Sequence, residues 1–241
     1  MTGGITGIGT GRVGPRLSIV VPVYNEAEIL AEALQALAPL REQGAAEVIV
    51  VDGQSRDATL EVANAAPVDR VVNTMRGRAL QMNAGATKAR GDHLLFLHAD
   101  TRLPADAPAL IAQALDQQGH AWGRFDVCIE GRSRMLRVVA AFINRRSRFT
   151  GIATGDQAIF VTREAFDSVG GYPKQPLMED LELSRSLRRI GAPACLRATV
   201  LTSGRRWERD GVWRTILLMW RLRALYWLGV SPQRLARRWR A

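Results

Sequence analysis

Short apolar runs alternate with longer segments whose apolar residues recur every three or four positions along the first hundred residues. Leu17-Ser18-Ile19-Val20-Val21-Pro22-Val23-Tyr24 is apolar and β-branched, the pattern of a buried strand. Asn25 follows at an N-cap position, and Glu26 and Glu28 favour the positive end of a helix. Leu30, Ala33, Leu34 and Leu37 give that helix one apolar face, and Pro39 is expected to end it. Glu47-Val48-Ile49-Val50-Val51 predicts a second strand, closing on Asp52-Gly53-Gln54-Ser55-Arg56-Asp57. There Gly53 permits a tight turn, and Ser55 or Asp57 can cap the next helix. A third strand is expected over residues 68–72, a helix over 79–89, and a fourth strand at Leu94-Leu95-Phe96-Leu97. Strands alternating with helices, with no internal repeat, predict an α/β fold whose mainly parallel sheet is flanked by helices.

Three of these strands lead into a carboxylate: Glu26, Asp52 and Asp100. Open α/β sheets bind ligands beyond the carboxyl ends of their strands. An acid there suits a divalent cation and the phosphates it carries. One such acid could be a cap or turn residue; three on one sheet edge make a site.

The second half predicts a helix over 103–118, a strand over 122–129 and a short apolar helix over 135–143. A polar loop then feeds a strand at Thr154-Gly155-Asp156-Gln157-Ala158-Ile159-Phe160-Val161. Leu177-Met178-Glu179-Asp180-Leu181 opens another helix with adjacent acids, which the helix dipole favours. Near the end, Trp213, Trp220 and Trp227 recur every seven residues, and Arg214, Arg221 and Arg223 rule against a membrane span. An amphipathic C-terminal helix is expected, either packed on the core or lying in a membrane interface.

Charge sharpens this picture. Of the net +10 on 241 residues, residues 204–241 contribute +8, with ten Arg against Glu208 and Asp210. Residues 132–148 add six Arg and no acid. Basicity confined to two regions points to an anionic partner. Cys128 and Cys195 match no metal or redox spacing and read as reduced thiols, though a bridge between them stays open. Residues 1–16 hold six Gly and no apolar signal core, and are expected to be a flexible tail. Their Gly9-Thr10-Gly11-Arg12-Val13-Gly14 spells a dinucleotide fingerprint, but it precedes the first strand instead of following one. A cytoplasmic protein, in contact with the inner face of the membrane if the last helix is interfacial, is the expected setting.

Val20-Val21-Pro22-Val23-Tyr24-Asn25-Glu26, Val50-Val51-Asp52-Gly53-Gln54-Ser55-Arg56-Asp57 and Phe96-Leu97-His98-Ala99-Asp100, in that order, resemble the family 2 glycosyltransferases of the GT-A fold. The resemblance covers residues 17–191, and Arg205-Arg206-Trp207-Glu208 resembles a small subgroup labelled arsenosugar-biosynthesis glycosyltransferases. It implies a GT-A domain over 17–204 and a basic, Trp-rich helical extension over 205–241. It implies inverting transfer of a sugar from a nucleoside-diphosphate donor, UDP-linked before GDP-linked, to a small-molecule or lipid acceptor. On this resemblance Pro22, Tyr24, Glu26, Asp52, Arg78 and Asn83 would line the nucleotide, and Asp100 would hold Mg²⁺ or Mn²⁺ on its diphosphate. Asp156 and Gln157 would meet sugar or acceptor hydroxyls, while Asp180 would be the general base with Glu179 beside it. His98 stands where the family's metal motif has its first acid, and either approaches the metal or sugar or serves the structure. No His follows His120 to supply the family's downstream ligand, so Arg205 and Arg206 are expected to clamp the diphosphate.

Two other classes compete. A nucleotidyltransferase, or a protein that only binds nucleotide sugar, shares the sheet; the former would show a Gly-rich loop after the first strand, and Pro22-Val23-Tyr24-Asn25-Glu26 offers none. A nucleic-acid-binding module would use the arginines and tryptophans but leave Glu26, Asp52, Asp100 and Asp180 without a purpose. No nucleic-acid partner is expected.

Overall fold

The computed structural model describes residues 16–240. The expected N-terminal tail and its glycine pattern therefore lie, apart from Arg16, outside the described residues. The chain runs β1 Leu17–Val23, α1 Ala27–Glu42, β2 Ala46–Asp52, α2 Thr59–Ala65, β3 Arg70–Asn73, α3 Arg78–Lys88 and β4 His93–Phe96. It continues through β5 Thr101–Arg102, α4 Ala107–Ala112, β6 Trp122–Glu130, α5 Met135–Thr150, β7 Phe160–Thr162, α6 Arg163–Ser168 and α7 Glu179–Leu187. The last elements are β8 Ala194–Ser203, α8 Arg205–Asp210, α9 Val212–Trp227 and α10 Pro232–Arg240.

The strands form one sheet in the order β3-β2-β1-β4-β7-β6-β8-β5. β1 pairs in parallel with β2 and β4, β2 with β3, and β6 with β8; β7 is antiparallel to both β4 and β6. The order reverses at β1, with β2 on one side and β4 on the other, which opens a crevice beyond their carboxyl ends. Alternation along the strands loads both faces. Ile19, Val21, Val48, Val50 and Leu95 pack with Leu30, Leu34 and Leu37 of α1 on one side. Val20, Ile49, Val51, Leu94 and Phe96 pack with Ala79, Met82 and Ala86 of α3 on the other. Gly85 lets α3 sit down on the sheet, because a Cβ there would meet a Val20 methyl at 2.3 Å.

Several sequence expectations need correction. Helix α1 does not stop at Pro39 but runs to Glu42, since Leu37, Ala38 and Leu40 are buried and hold the last turn. Asn25 is no N-cap: its φ is +53, and its Oδ1 accepts from Arg56 N. The start of α1 is held by another loop, with Thr59 Oγ1 accepting from Glu26 N and Asp57 Oδ2 from Ala27 N. Asp57 Oδ1 also accepts from Thr59 N, so one aspartate steadies two helix starts. The helix expected from 103 begins at Ala107, after Thr101–Arg102 has paired with β8, and closes in a π-helical turn over Gln113–Gln117. Helix α5 extends past residue 143 to Thr150, because Arg137, Arg145 and Arg148 stay exposed beside its buried face and Gly151, at φ +63, ends it. Cys128 and Cys195 are free thiols.

The segment after residue 204 packs on the rest of the domain. Trp207 of α8 is buried in the main core, and Thr215 and Leu222 of α9 are buried against the domain. Trp213, Trp220 and Trp227 do not pack in the core as one reading expected; they are 56–65% exposed.

Candidate active site

One cleft lies across the carboxyl ends of β1 and β4, walled by the loop before α7 and by α8 and α9. Pro22, Glu26, Arg78, His98, Asp100, Asp156, Glu179, Asp180, Arg206 and Arg223 face it. It continues into a second recess containing Tyr24, Arg76 and Gly77, with Pro22, Glu26, Arg78, Glu179 and Arg206 shared between the two. In this recess the Arg76 guanidinium lies 3.9 Å from the centre of the Tyr24 ring. The stacked pair makes a flat, polar-edged platform in that recess.

The backbone sets these groups up locally. Asn25 and Met178 are both in the left-handed region, at φ +53 and +66, although neither is glycine. Such residues store backbone strain, and both flank the cleft. Met178 turns the chain so that α7 begins there, placing Glu179 and Asp180 in its first turn. Gly155 is required next to them. A Cβ on Gly155 would lie 2.6 Å from the His98 ring and 2.9 Å from Asp180 Oδ2.

The carboxylates are in contrasting surroundings. Asp180 Oδ2 accepts from Gly155 N at 2.9 Å, while Oδ1 is buried with no hydrogen-bond partner. Burial raises the Asp180 carboxyl above its ordinary value, although Arg78 and His98 pull the other way. Glu179 is 5% exposed, and burial together with the charge of Asp180 pushes it up to about 7. Glu26 is also raised, by burial and then by Asp100 facing it. Asp156 behaves oppositely: burial would raise it, but His98, Arg78 and Arg223 outweigh that and hold it low. Its Oδ1 lies 3.6 Å from His98 Nδ1, and His98 Nε2 is buried without a partner. The Tyr172 hydroxyl is likewise buried and unpartnered; burial, Asp180 and Glu179 push it well above its usual value.

Most of the expected site residues therefore meet in one place: Pro22, Tyr24, Glu26, Arg78, Asp100, Asp156, Glu179, Asp180 and Arg206. Four do not face the cleft. Asn83 holds the backbone of Tyr172 from both sides, donating to its carbonyl at 2.8 Å and accepting its N–H at 2.9 Å. Gln157 is fully buried and donates to Ser147 Oγ at 3.0 Å, which fixes the loop on α5. Asp52 is buried and accepts from Ser55 N at 3.0 Å, organising the turn after β2. Arg205 lines an adjoining hollow that shares Ala99, Asp100 and Ser203 with the cleft, and its charge acts on Glu26. Among the described residues, no group of three His, Cys, Asp or Glu side chains is arranged to hold a metal ion.

Sequence reasoning missed Arg76, Arg223 and Tyr172. Arg223 carried a usable signal, because it falls on the same helical face as the inward Thr215 and Met219. Tyr172 carried none, since only the tertiary fold lays its loop under α7.

The family described as Glycosyl transferase family 2 matches residues 18–169. A PGL/p-HBAD biosynthesis glycosyltransferase of Mycobacterium bovis is 35% identical over 168 residues, covering 66% of this chain and 63% of that protein. The undecaprenyl-phosphate 4-deoxy-4-formamido-L-arabinose transferase of Pseudomonas aeruginosa is 30% identical over 161 residues, covering 58% of this chain and 44% of that protein. The chain thus spans less than two thirds of the length of these relatives. Among solved structures, a mannosyltransferase of Pyrobaculum calidifontis in complex with GDP-Man and Mn²⁺ superposes with a TM-score of 0.61 at 23% identity, over 78% of this chain and 56% of that one. S. aureus TarS in complex with UDP-GlcNAc superposes with a TM-score of 0.62 at 18% identity, over 78% and 58%. The mixed sheet with its helices is therefore the GT-A fold, and the chain belongs to glycosyl transferase family 2.

Proposed function

We propose that this protein transfers a sugar from a nucleoside-diphosphate donor to an acceptor hydroxyl with inversion, Asp180 acting as the general base. The observation that carries this reading is the free oxygen of Asp180. One oxygen is tied to Gly155 N–H, and the other stands buried, unpartnered and raised in proton affinity inside a cleft lined by cationic arginines.

Chemistry follows from that placement. The acceptor oxygen attacks the anomeric carbon from the Asp180 side, its proton passes to Oδ1, and the bond to the diphosphate oxygen breaks on the opposite face with its electron pair. A carboxylate whose proton affinity has been raised toward ambient pH is the better proton acceptor. Glu179, next to it and itself raised, positions the acceptor or the base. The base of the donor would stack in the Tyr24–Arg76 recess, and Arg78 and Arg206 would face its phosphates.

A divalent cation fits the same edge. Glu26 is raised first by burial and then by the charge of Asp100, a repulsion that a cation relieves. Asp100 would hold Mg²⁺ or Mn²⁺ with the remaining positions filled by donor phosphates and water, as such ions accept. When bound, the ion neutralises charge on the departing diphosphate. Solved relatives carrying Mn²⁺ with GDP-Man, or binding UDP-GlcNAc, support both the ion and the nucleoside-diphosphate-sugar donor class. A relative named for undecaprenyl phosphate supports a lipid acceptor beside a small-molecule one. The narrower arsenosugar subgroup rests on Arg205-Arg206-Trp207-Glu208, whose Trp207 enters the core and whose Arg206 faces the cleft.

The test is a thermal-shift panel of UDP-, GDP- and dTDP-sugars with and without Mn²⁺, followed by turnover of the stabilising donor. Asp180→Asn should keep donor binding and lose about 10²- to 10⁴-fold in turnover. Absence of stabilisation by every donor, or full turnover in Asp180→Asn, removes the assignment.

A further inference from the structure

The outer surface of α5 and α9 is unlike the rest of the molecule. Eight of the eleven large apolar side chains that stand exposed among the described residues lie on these two helices or just past the end of α9. On α9, Trp213, Leu217, Trp220 and Trp227 are 65, 65, 56 and 63% exposed, at spacings that place them on one stripe. On α5, Phe142 and Phe149 are 50 and 79% exposed. The two stripes are joined, because the Phe142 and Trp220 rings lie 5.9 Å apart. Isolated exposed apolar residues are ordinary on a folded surface, but a contiguous aromatic face marks an interaction site.

Charge identifies the occupant. Residues 131–150 and 211–241 together contain thirteen arginines and no Asp or Glu. Arg137 and Arg145 of α5, with Arg214 and Arg221 of α9, are exposed around the aromatic stripes. Tryptophan and arginine at the edge of an apolar helix face suit the headgroup layer of an anionic bilayer, the rings entering the acyl boundary while guanidinium groups meet phosphates. Arg185 of α7 already shows this pairing within the protein, its guanidinium lying 4.2 Å from the centre of the Trp227 ring. No helix among the described residues is long and apolar enough to cross a membrane, so the contact lies along the surface.

We propose that the α5–α9 face docks on an anionic phospholipid surface and sets the cleft beside it. Helix α9 makes the connection, since its opposite side supplies Thr215, Met219, Leu222 and Arg223 to the cleft wall. An acceptor anchored in the bilayer would then approach Asp180 along the helix that touches the lipid. This deepens the glycosyl-transfer reading by naming a membrane-bound acceptor, but the docking face stands on its own observations.

The full chain should float with vesicles of phosphatidylglycerol and phosphatidylcholine, release at high salt, and float poorly with phosphatidylcholine alone. Trp213→Ala combined with Trp220→Ala should weaken vesicle affinity by about tenfold or more, with the fold retained because both rings are largely exposed and the packing lost is the Trp220–Phe142 contact. Arg214→Glu with Arg221→Glu should abolish the preference for anionic lipid. Three results overturn the proposal: no flotation with anionic vesicles, equal flotation of the tryptophan variant, or light scattering that shows a dimer dissociated by the same substitutions. Flotation is read without nucleotide sugar, so its failure leaves the assignment of Asp180 untouched, and failure of turnover leaves docking untouched.

Discussion

Glu179 offers a quantitative check on the electrostatics of the cleft. Its carboxyl is 5% exposed and displaced from 4.5 to about 7, chiefly by burial and then by Asp180. The unfolded chain frees Glu179 from both constraints, so the folded protein holds the proton to higher pH than the unfolded one. Stability from this group is therefore complete below pH 4.5 and declines as pH rises through about 7. The displacement is worth roughly 3 kcal/mol at ~1.36 kcal/mol per pH unit. Glu179→Gln keeps the shape and removes the ionisation. The variant should match the parent near pH 4 and exceed it by about 3 kcal/mol above pH 8, on the order of 10 °C in melting temperature for a chain of this length. Urea unfolding of both proteins across this range, without donor or metal, measures the difference directly. A variant that is no more stable than the parent at alkaline pH, or less stable, refutes the claim that Glu179 sits ionised against its environment.

Other substitutions probe geometry. Gly155→Ala should fold yet lose most of its turnover, because the new Cβ must displace the His98 ring and Asp180 Oδ2; retained kcat would show that this contact is not catalytic. Asn83→Ala should cost about 1–3 kcal/mol in urea unfolding by leaving the Tyr172 backbone groups unpaired, whereas an unchanged midpoint with a raised donor KM would return Asn83 to the nucleotide site. Arg76→Ala should weaken binding of the free nucleoside diphosphate by about 0.5–1 kcal/mol in calorimetry without altering kcat, since Tyr24 and Arg76 line the outer recess and not the part of the cleft that holds Asp180.

The family resemblance singled out Glu179 and Asp180, while the chain on its own determined the alternation of strand and helix, the parallel first half, and the carboxylates Glu26 and Asp100 beyond the strand ends. These were legible because period-two and period-3.6 patterns fix which way side chains point, and strand ends fix where polar groups collect. It determined less about groups whose role depends on what lies opposite. Asn83 and Gln157 are ligand contacts only by family resemblance; in the fold they hydrogen-bond to Tyr172 and Ser147, which the tertiary structure brings within reach. Asp57 rather than Asn25 steadies α1 for the same reason, across a sequence gap of thirty residues. The tryptophans at 213, 220 and 227 announced one helical face but not its direction. Only the packing of Thr215 and Leu222 against the domain decided that the aromatic stripe points outward. Periodicity states that a face exists, and burial of the opposite side is what orients it.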